Sequence, residues 1–495
     1  MLGRPQHPRG SRSRTRRRLV ALGAALLLVA ACGSRANQAQ IDEALGAGGG
    51  GTGTGRTTGA TATGTAGGPK GAAATGSTGG AAAGGPTDAT GADPAAAGGT
   101  DPAAAAPDGG NGGATDVGVT ADSITVANIS ILTGPVPGLF AGAPKGVQAY
   151  FAYINSQGGI YGRQLKVESQ DDQFDCGINK ATTDEDIGKY FTFVGSFSLF
   201  DDCGGEVLQA HPEVPDIQVP LGTTLQTLPN NFSPQPVRAG ASTGPFQYVK
   251  DHHPNAITKV GALVGNVDSA KAAWENAKFV MQSLGYQIVY ERLYQPTETD
   301  FTADIVQMKA KGVQLLTLSS ADVKTMGRVE AKAQQQGWKP EVTLLGASGY
   351  DKTLFTLAGS DDALEGALLY LPTALYLGED RQDIPEVDTF LTWLDKVAPG
   401  ANVDLFTVYG WASAELFVQA LKDAGPQATR ASLTAALQKI DQFDANGLLA
   451  PAGPASKTPP TCYVMAQIHS GKIERLDTPA GQYRCDGTYV YRQGG

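Results

Sequence analysis

No aromatic residue occurs in the first 139 positions of this 495-residue chain; Phe140 is the first. Between Ile41 and Thr115 lie 24 of the chain's 65 glycines, set mostly among Ala and Thr. Such a stretch cannot bury enough apolar surface to offset the entropy of ordering it. Residues 33–117 are therefore expected to be a flexible tether. A Gly-rich coil of that length has an end-to-end distance of about 50 Å. The run Gly48–Gly53 matches glycine-rich phosphate-loop patterns, but it follows no strand and opens no helix, so it carries no nucleotide site. Histidine is also scarce, with five in the chain, and no H-E-x-x-H, G-x-S-x-G or P-loop is present. The common metalloprotease, α/β-hydrolase and P-loop chemistries are thereby excluded, and the chain reads as a non-enzyme needing no cofactor or metal. Paired carboxylates such as Asp201-Asp202 and Asp361-Asp362 read as solvated surface.

Basic charge is concentrated at one end. Seven arginines lie between Arg4 and Arg18, and an apolar run follows from Leu19 to Ala31. That run is too short to span a bilayer core, which takes about 20 apolar residues. A basic region, a short apolar region and small residues read as a secretory signal peptide over residues 1–31. The sequence Leu28-Val29-Ala30-Ala31-Cys32-Gly33 resembles a bacterial lipobox. The resemblance implies diacylglycerol on Cys32 and a lipid-anchored protein on the extracytoplasmic face of the cell membrane. Without the seven signal arginines, 31 basic groups stand against 48 acidic ones, a mature charge of −17. That balance argues against a nucleic-acid partner.

Four further cysteines remain: Cys176, Cys203, Cys462 and Cys485. They permit three pairings. Their clustering favours the local one, Cys176–Cys203 and Cys462–Cys485. Metal ligation would need closer spacings such as C-x2-C.

From Val119 onward, strand-like and helix-like stretches alternate. Ile124–Ser130 reads as a strand; Val147, Tyr150, Phe151 and Ile154 recur at helical spacing; Gln164–Ser169 is strand-like, and Phe191–Gly195 and Ile217–Val219 are short apolar runs. The pattern restarts at Lys259–Gly265. A helix at 270–284, a strand at Gln287–Tyr294, a helix at 300–311 ending at Gly312, and the strands Val313–Leu318 and Val342–Leu345 follow. A largely helical stretch includes Leu405–Leu421, and the last strands are Tyr463–Ile468 and Ile473–Leu476. Such alternation predicts parallel sheets covered by helices, and two runs of it predict two α/β lobes. Ligands of open parallel sheets bind beyond the carboxyl ends of the strands, so facing lobes enclose a cleft.

The motifs Thr133-Gly134-Pro135, Ile154–Arg163 and Asp171-Asp172, then Thr299–Thr302, Gly346–Asp351 and Tyr409, resemble in this order the type I periplasmic binding proteins. The nearest branch is the substrate-binding lipoproteins of branched-chain amino-acid ABC importers. The resemblance runs from about Val117 to the C-terminus. It implies two doubly wound lobes with a ligand cleft between them, joined by crossovers near Gly240, Tyr370 and Ala450. Lobe 1 is then residues 118–240 and 373–450, and lobe 2 residues 241–372 and 451–495. It also implies a first-lobe disulfide, where Cys176 and Cys203 stand, and capture of a small polar solute by hinge closure for ABC permease subunits. A ligand-sensing receptor on the same fold is the alternative. The implied ligand residues are Ser198 and the Gly222-Thr223-Thr224 loop in lobe 1, with Phe140 nearby. In lobe 2 they are Asp268, Ser320, Asp322 and Tyr350. The Tyr and Glu with which the family's amino-acid binders hold an α-ammonium have no clear counterparts at Val267–Ala270 and Ser319–Thr325.

Overall fold

The computed structural model describes residues 104–105 and 107–492. The signal peptide, Cys32 and the tether up to residue 103 lie outside the described residues. The strands are β1 Ser123–Ser130, β2 Gln164–Asp171, β3 Phe193–Val194, β4 Asp216–Ile217, β5 Gly240–Ser242, β6 Val260–Gly265, β7 Ile288–Tyr294, β8 Leu315–Leu318, β9 Val342–Leu345, β10 Leu368–Leu371, β11 Val464–His469, β12 Lys472–Arg475 and β13 Tyr489–Tyr491. The helices are α1 Gly142–Ser156, α2 Cys176–Ile187, α3 Asp201–Ala210, α4 Thr223–Thr227, α5 Gly244–His252, α6 Asp268–Ser283, α7 Thr302–Lys311, α8 Val323–Gln335, α9 Thr353–Ala358, α10 Asp361–Leu364, α11 Pro385–Val397, α12 Leu405–Ala424 and α13 Arg430–Leu437.

Two main sheets carry the fold. The first is parallel, in the order β2-β1-β3-β4. The second has the order β12-β11-β10-β9-β8-β6-β7. Its strands β6 to β10 run parallel, and β11 and β12 extend it antiparallel. The sequences explain the positions. β6, β8 and β9 are largely apolar and buried along their whole length, as strands covered on both faces must be. β7 alternates, with Glu291 and Leu293 turned outward, and it forms the edge.

The helix ends follow local chemistry. The Asp175 side chain accepts from Ile178 N (2.9 Å) to start α2, and Asp404 accepts from Thr407 N (2.8 Å) to start α12. Gly312 takes the left-handed conformation that ends α7, as its sequence position predicts. Disulfides join Cys176 to Cys203, tying α2 to α3, and Cys462 to Cys485.

Residues 107–117, counted with the tether by composition, are held against the first lobe. Arg163 is fully buried and donates to Asn111 O (2.6 Å), Gly113 O (2.8 Å), Thr120 O (2.7 Å) and Pro426 O (2.6 Å). Asp116 accepts from Arg430 N (2.7 Å). A polar stretch is thus ordered by a guanidinium that needs its carbonyls, a partner that composition does not reveal.

Three chain segments pass between the sheets, after β4, after β10 and before β11, and they meet. Ala450 N donates to Pro372 O (2.8 Å) and Ala374 N to Leu448 O (2.9 Å), pairing two of them. Gln235, on the third, donates its amide to Pro372 O (2.6 Å) and accepts from Tyr409 Oη (3.0 Å).

Candidate binding cleft

Strand order singles out one end of each sheet. In the first sheet the chain crosses from β1 to β2 on one side and to β3 on the other; in the second, β6 lies between β7 and β8. The connections therefore diverge at β1/β3 and at β6/β8, opening a crevice beyond the carboxyl ends of those strands. The loops at these ends are 131–141 and 195–199 in lobe 1, and 266–268 and 319–322 in lobe 2. They lie across from one another: Lys324 Nζ donates to Pro137 O (3.1 Å), and Asn402 Nδ2 donates to Asp351 Oδ2 (2.8 Å).

A buried polar network holds the loop after β3. Asn128 Nδ2 donates to Val194 O (2.9 Å), Ser196 Oγ accepts from Ile129 N (3.0 Å), and Ser130 Oγ accepts from Phe197 N (3.1 Å). This fixes the backbone at Ser198. The Ser198 hydroxyl is buried and donates to Asp172 Oδ2, while accepting from Phe200 N (3.0 Å). Burial pushes the Asp172 carboxyl up, against the hydrogen bonds from Ser198 and Asn179 that pull it down. Its neighbour Asp171 is held below the usual range. Burial opposes that shift, but the Thr133 hydroxyl and the amides of Gln173, Leu132 and Thr133 outweigh it.

The loop at Gly222-Thr223-Thr224 presents a row of amides, and the chain's own carboxylates occupy them. Asp201 accepts from Leu221 N (2.7 Å) and Gly222 N (2.8 Å); Asp202 accepts from Thr223 N (3.1 Å) and Thr224 N (2.7 Å). A side chain at Gly222 would overlap the Asp202 carboxyl. Asp201 is buried, and desolvation raises it to about 7 against the two amide bonds. The reading of Asp201-Asp202 as solvated surface is thus corrected for Asp201. The pair sits in the first turn of α3, where its carboxylates meet the start of α4.

Phe140 is buried in an aromatic cluster, with ring centroids 5.5 Å from Phe197 and 4.5 Å from Phe406; Phe197 also stacks on Tyr409 at 5.8 Å. Phe406 is half-buried.

In lobe 2, Asp322 caps α8, accepting from Lys324 N (2.9 Å), Thr325 N (3.1 Å) and Thr325 Oγ1 (2.7 Å). Ser320 is half-buried in the loop before it. Tyr350 is fully buried. Its hydroxyl bonds to Glu379, and its ring packs edge-on to Tyr376 at 4.7 Å. Burial, then the Glu379 charge, push its hydroxyl far up. Ser348 Oγ donates to Ala321 O (2.8 Å), linking the loops of Asp322 and Tyr350. Asp268 stands apart: its side chain is 95% exposed and pairs with Lys271 at 2.5 Å.

The structure therefore gathers Ser198 and Gly222–Thr224 around carboxylates on one side, and Ser320, Asp322 and Tyr350 on linked loops on the other. Asp201 and Asp202, read from sequence as surface, hold the amides, and Lys324 and Asn402, not singled out by sequence, bridge the lobes. The Asp-Asp step in a first helical turn was the available signal for the first two; long-range contacts of the last two leave none. Among the described residues, no group of three or more His, Cys, Asp or Glu is placed to hold a metal, and no helix is long and apolar enough to cross a membrane.

Comparison with known proteins agrees with this architecture. The sequence profile of the periplasmic binding protein family matches residues 123–472. The chain is 25% identical over 303 residues to Leu/Ile/Val-binding protein homolog 1 of Brucella abortus, which covers 59% of this chain and 76% of that protein. Among solved structures it is similar to a fatty acid ABC transporter substrate-binding protein from Thermomonospora curvata, with TM-score 0.60, 20% identity, and coverage of 78% of this chain and 95% of that one. It is also similar to a branched-chain amino acid ABC transporter from Thermus thermophilus with bound valine, with TM-score 0.61, 17% identity, and coverage of 73% and 98%. With its two lobes, its divergent strand crossings and a family match spanning most of the chain, this protein belongs to the periplasmic binding protein family.

Proposed function

We propose that this protein is an extracytoplasmic solute-binding lipoprotein that captures a small solute by closure of its lobes and delivers it to an ABC importer. The observation that carries this reading is the pair of sheets whose diverging crossings face each other, with three passing segments tied at Pro372. That arrangement suits hinge closure of two rigid bodies. The lobes are read as 118–240 with 373–450, and 241–372 with 451–495.

The named relatives bind branched-chain amino acids or fatty acids, which share a carboxylate and an apolar part. The same class of solute, or the corresponding amide, is proposed here, with its apolar part toward Phe140 and Phe406. Ser198 and the amides of Gly222, Thr223 and Thr224 supply donors on one side, with Ser320, Asp322 and Tyr350 opposite and Asp268 at the rim. A ligand carboxylate at these donors must displace or neighbour Asp172, Asp201 and Asp202. Lipid on Cys32 keeps the lobes within reach of the permease.

A thermal-shift screen of branched-chain amino acids, short and medium-chain fatty acids, their amides, and ureas tests this. At least one class is expected to raise the unfolding midpoint by several degrees at saturation. No shift across the panel would count against solute capture. A Cys32→Ser variant should be released into the medium with binding intact.

A further inference from the structure

A second cavity, of about 410 Å³, opens at the other end of lobe 2. It is lined by the starts of β9 and β10, whereas the cleft loops follow the ends of β8 and β9. It is therefore remote from the solute cleft. Glu330 of α8 contributes to its wall. This side chain is only 4% exposed, and its Oε1 accepts no hydrogen bond. A buried carboxyl oxygen without a donor costs free energy.

The rest of the lining says what would satisfy it. Three further carboxylates face the cavity, Glu341, Asp362 and Glu365, against two basic residues, Lys339 and His253. Two of the rim carboxylates have partners: His253 Nδ1 lies 3.2 Å from Glu341, and Glu365 accepts from Ser470 N (2.8 Å) and meets His469 Nδ1 at 2.6 Å. The unmatched acceptor is the inner one. Excess carboxylate disfavours an anion. Trp338 and Leu364 supply apolar wall, and a single inner oxygen is not a ligand set for a metal ion.

We infer that this cavity binds a small organic cation, an amine whose ammonium pairs with Glu330 and whose apolar body lies against Trp338. Such a ligand supplies both the missing donor and a charge to match a buried carboxylate. Desolvation raises Glu330 to about 8, with the Lys339 charge and the Thr343 hydroxyl opposing. At neutral pH the empty site therefore holds a proton, and the arriving ammonium expels it to solvent.

Benzylamine is the probe, with benzyl alcohol and benzoate as its neutral and anionic counterparts, titrated calorimetrically into the full chain. Benzylamine should bind at least tenfold more tightly than either. Its affinity should rise about tenfold from pH 6 to pH 7, because the carboxyl must lose a proton to pair. Heats in two buffers of different ionisation enthalpy should report close to one proton released at pH 7. Glu330→Gln, which mimics the protonated acid, should fold and lose the binding at least tenfold. Equal affinity for benzoate, affinity independent of pH, or undiminished binding by Glu330→Gln would overturn the assignment. The wild-type pH slope decides the matter if the variant does not fold. Solute binding in the cleft should be unchanged in Glu330→Gln, so a failure here is separate from a failure of the transport reading.

Discussion

At the residue scale, buried acids set the response to pH. Asp201 and Asp216 are both buried, and desolvation raises each to about 7. Asp216 accepts from Asn231 Nδ2 (2.8 Å), but its Oδ1 has no partner. Its basic neighbour Lys457 is itself lowered to about 8, chiefly by burial. A raised acid binds a proton in the folded chain that it has lost in the unfolded one. Between about pH 4 and pH 7 the folded state therefore holds more protons, and stability falls as pH rises. Lys457 acts later, between about pH 8 and its ordinary value, where the unfolded chain holds the extra proton and stability recovers. The urea midpoint is accordingly expected to be higher at pH 5 than at pH 8. Asp216→Asn keeps an oxygen for Asn231 and should flatten that slope; an unchanged slope would assign the titration elsewhere. None of this is legible in sequence, because burial of Asp201 depends on α3 and α4 meeting across 20 residues of chain.

At the element scale, legibility tracks how local the cause is. The largely apolar strands β6, β8 and β9 and the ends of α7 and α12 follow from patterning and from Gly312 and Gly425. The strand expected at Phe191–Gly195 shrinks to Phe193–Val194, and that expected at Ile217–Val219 becomes Asp216–Ile217. Gly195 turns out at φ +65°, and Pro220 lacks a donor for a longer ladder. The pair β5 and β13 joins residues some 250 positions apart, and three residues each gave no periodicity. The packing of α1 on α12 is equally non-local. A methyl at Gly146 would overlap the Thr407 carbonyl, and one at Gly410 would overlap the Ala143 carbonyl, so both glycines let the helices touch by backbone. Gly410→Ala should destabilise by about 1–3 kcal/mol through forced separation. Gly188→Ala has its nearest neighbour at 3.8 Å and should stay within about 0.5 kcal/mol. Equal urea midpoints for the two variants would refute the close-approach argument.

At the scale of the whole molecule, two lobes were legible because the strand–helix alternation restarts after residue 240, and each restart needs its own sheet. The solute was not legible, because donors that look free in sequence are bound to Asp172, Asp201 and Asp202. Closure can be tested without knowing the solute. Besides the passing segments, and the bonds beside them from Tyr350 to Glu379 and Tyr376 and from Arg475 to Asp380, Lys324 to Pro137 and Asn402 to Asp351 link the lobes through polar side chains. Both are made by residues that need not touch a ligand, and both would be lost on opening. Each such bond contributes about 1 kcal/mol net. Removing both in Lys324→Ala/Asn402→Ala should shift the open–closed balance by about 2 kcal/mol, or roughly thirtyfold. Small-angle scattering of the ligand-free double variant should then give a larger radius of gyration than wild type. Any solute found by the screen should bind it at least tenfold more weakly, while the urea midpoint, governed by the separate lobe cores, changes little. A double variant with wild-type dimensions and wild-type affinity would show that these links do not govern closure, and the hinge reading would then rest on the segments at Pro372 and on the Tyr350 and Arg475 bonds beside them.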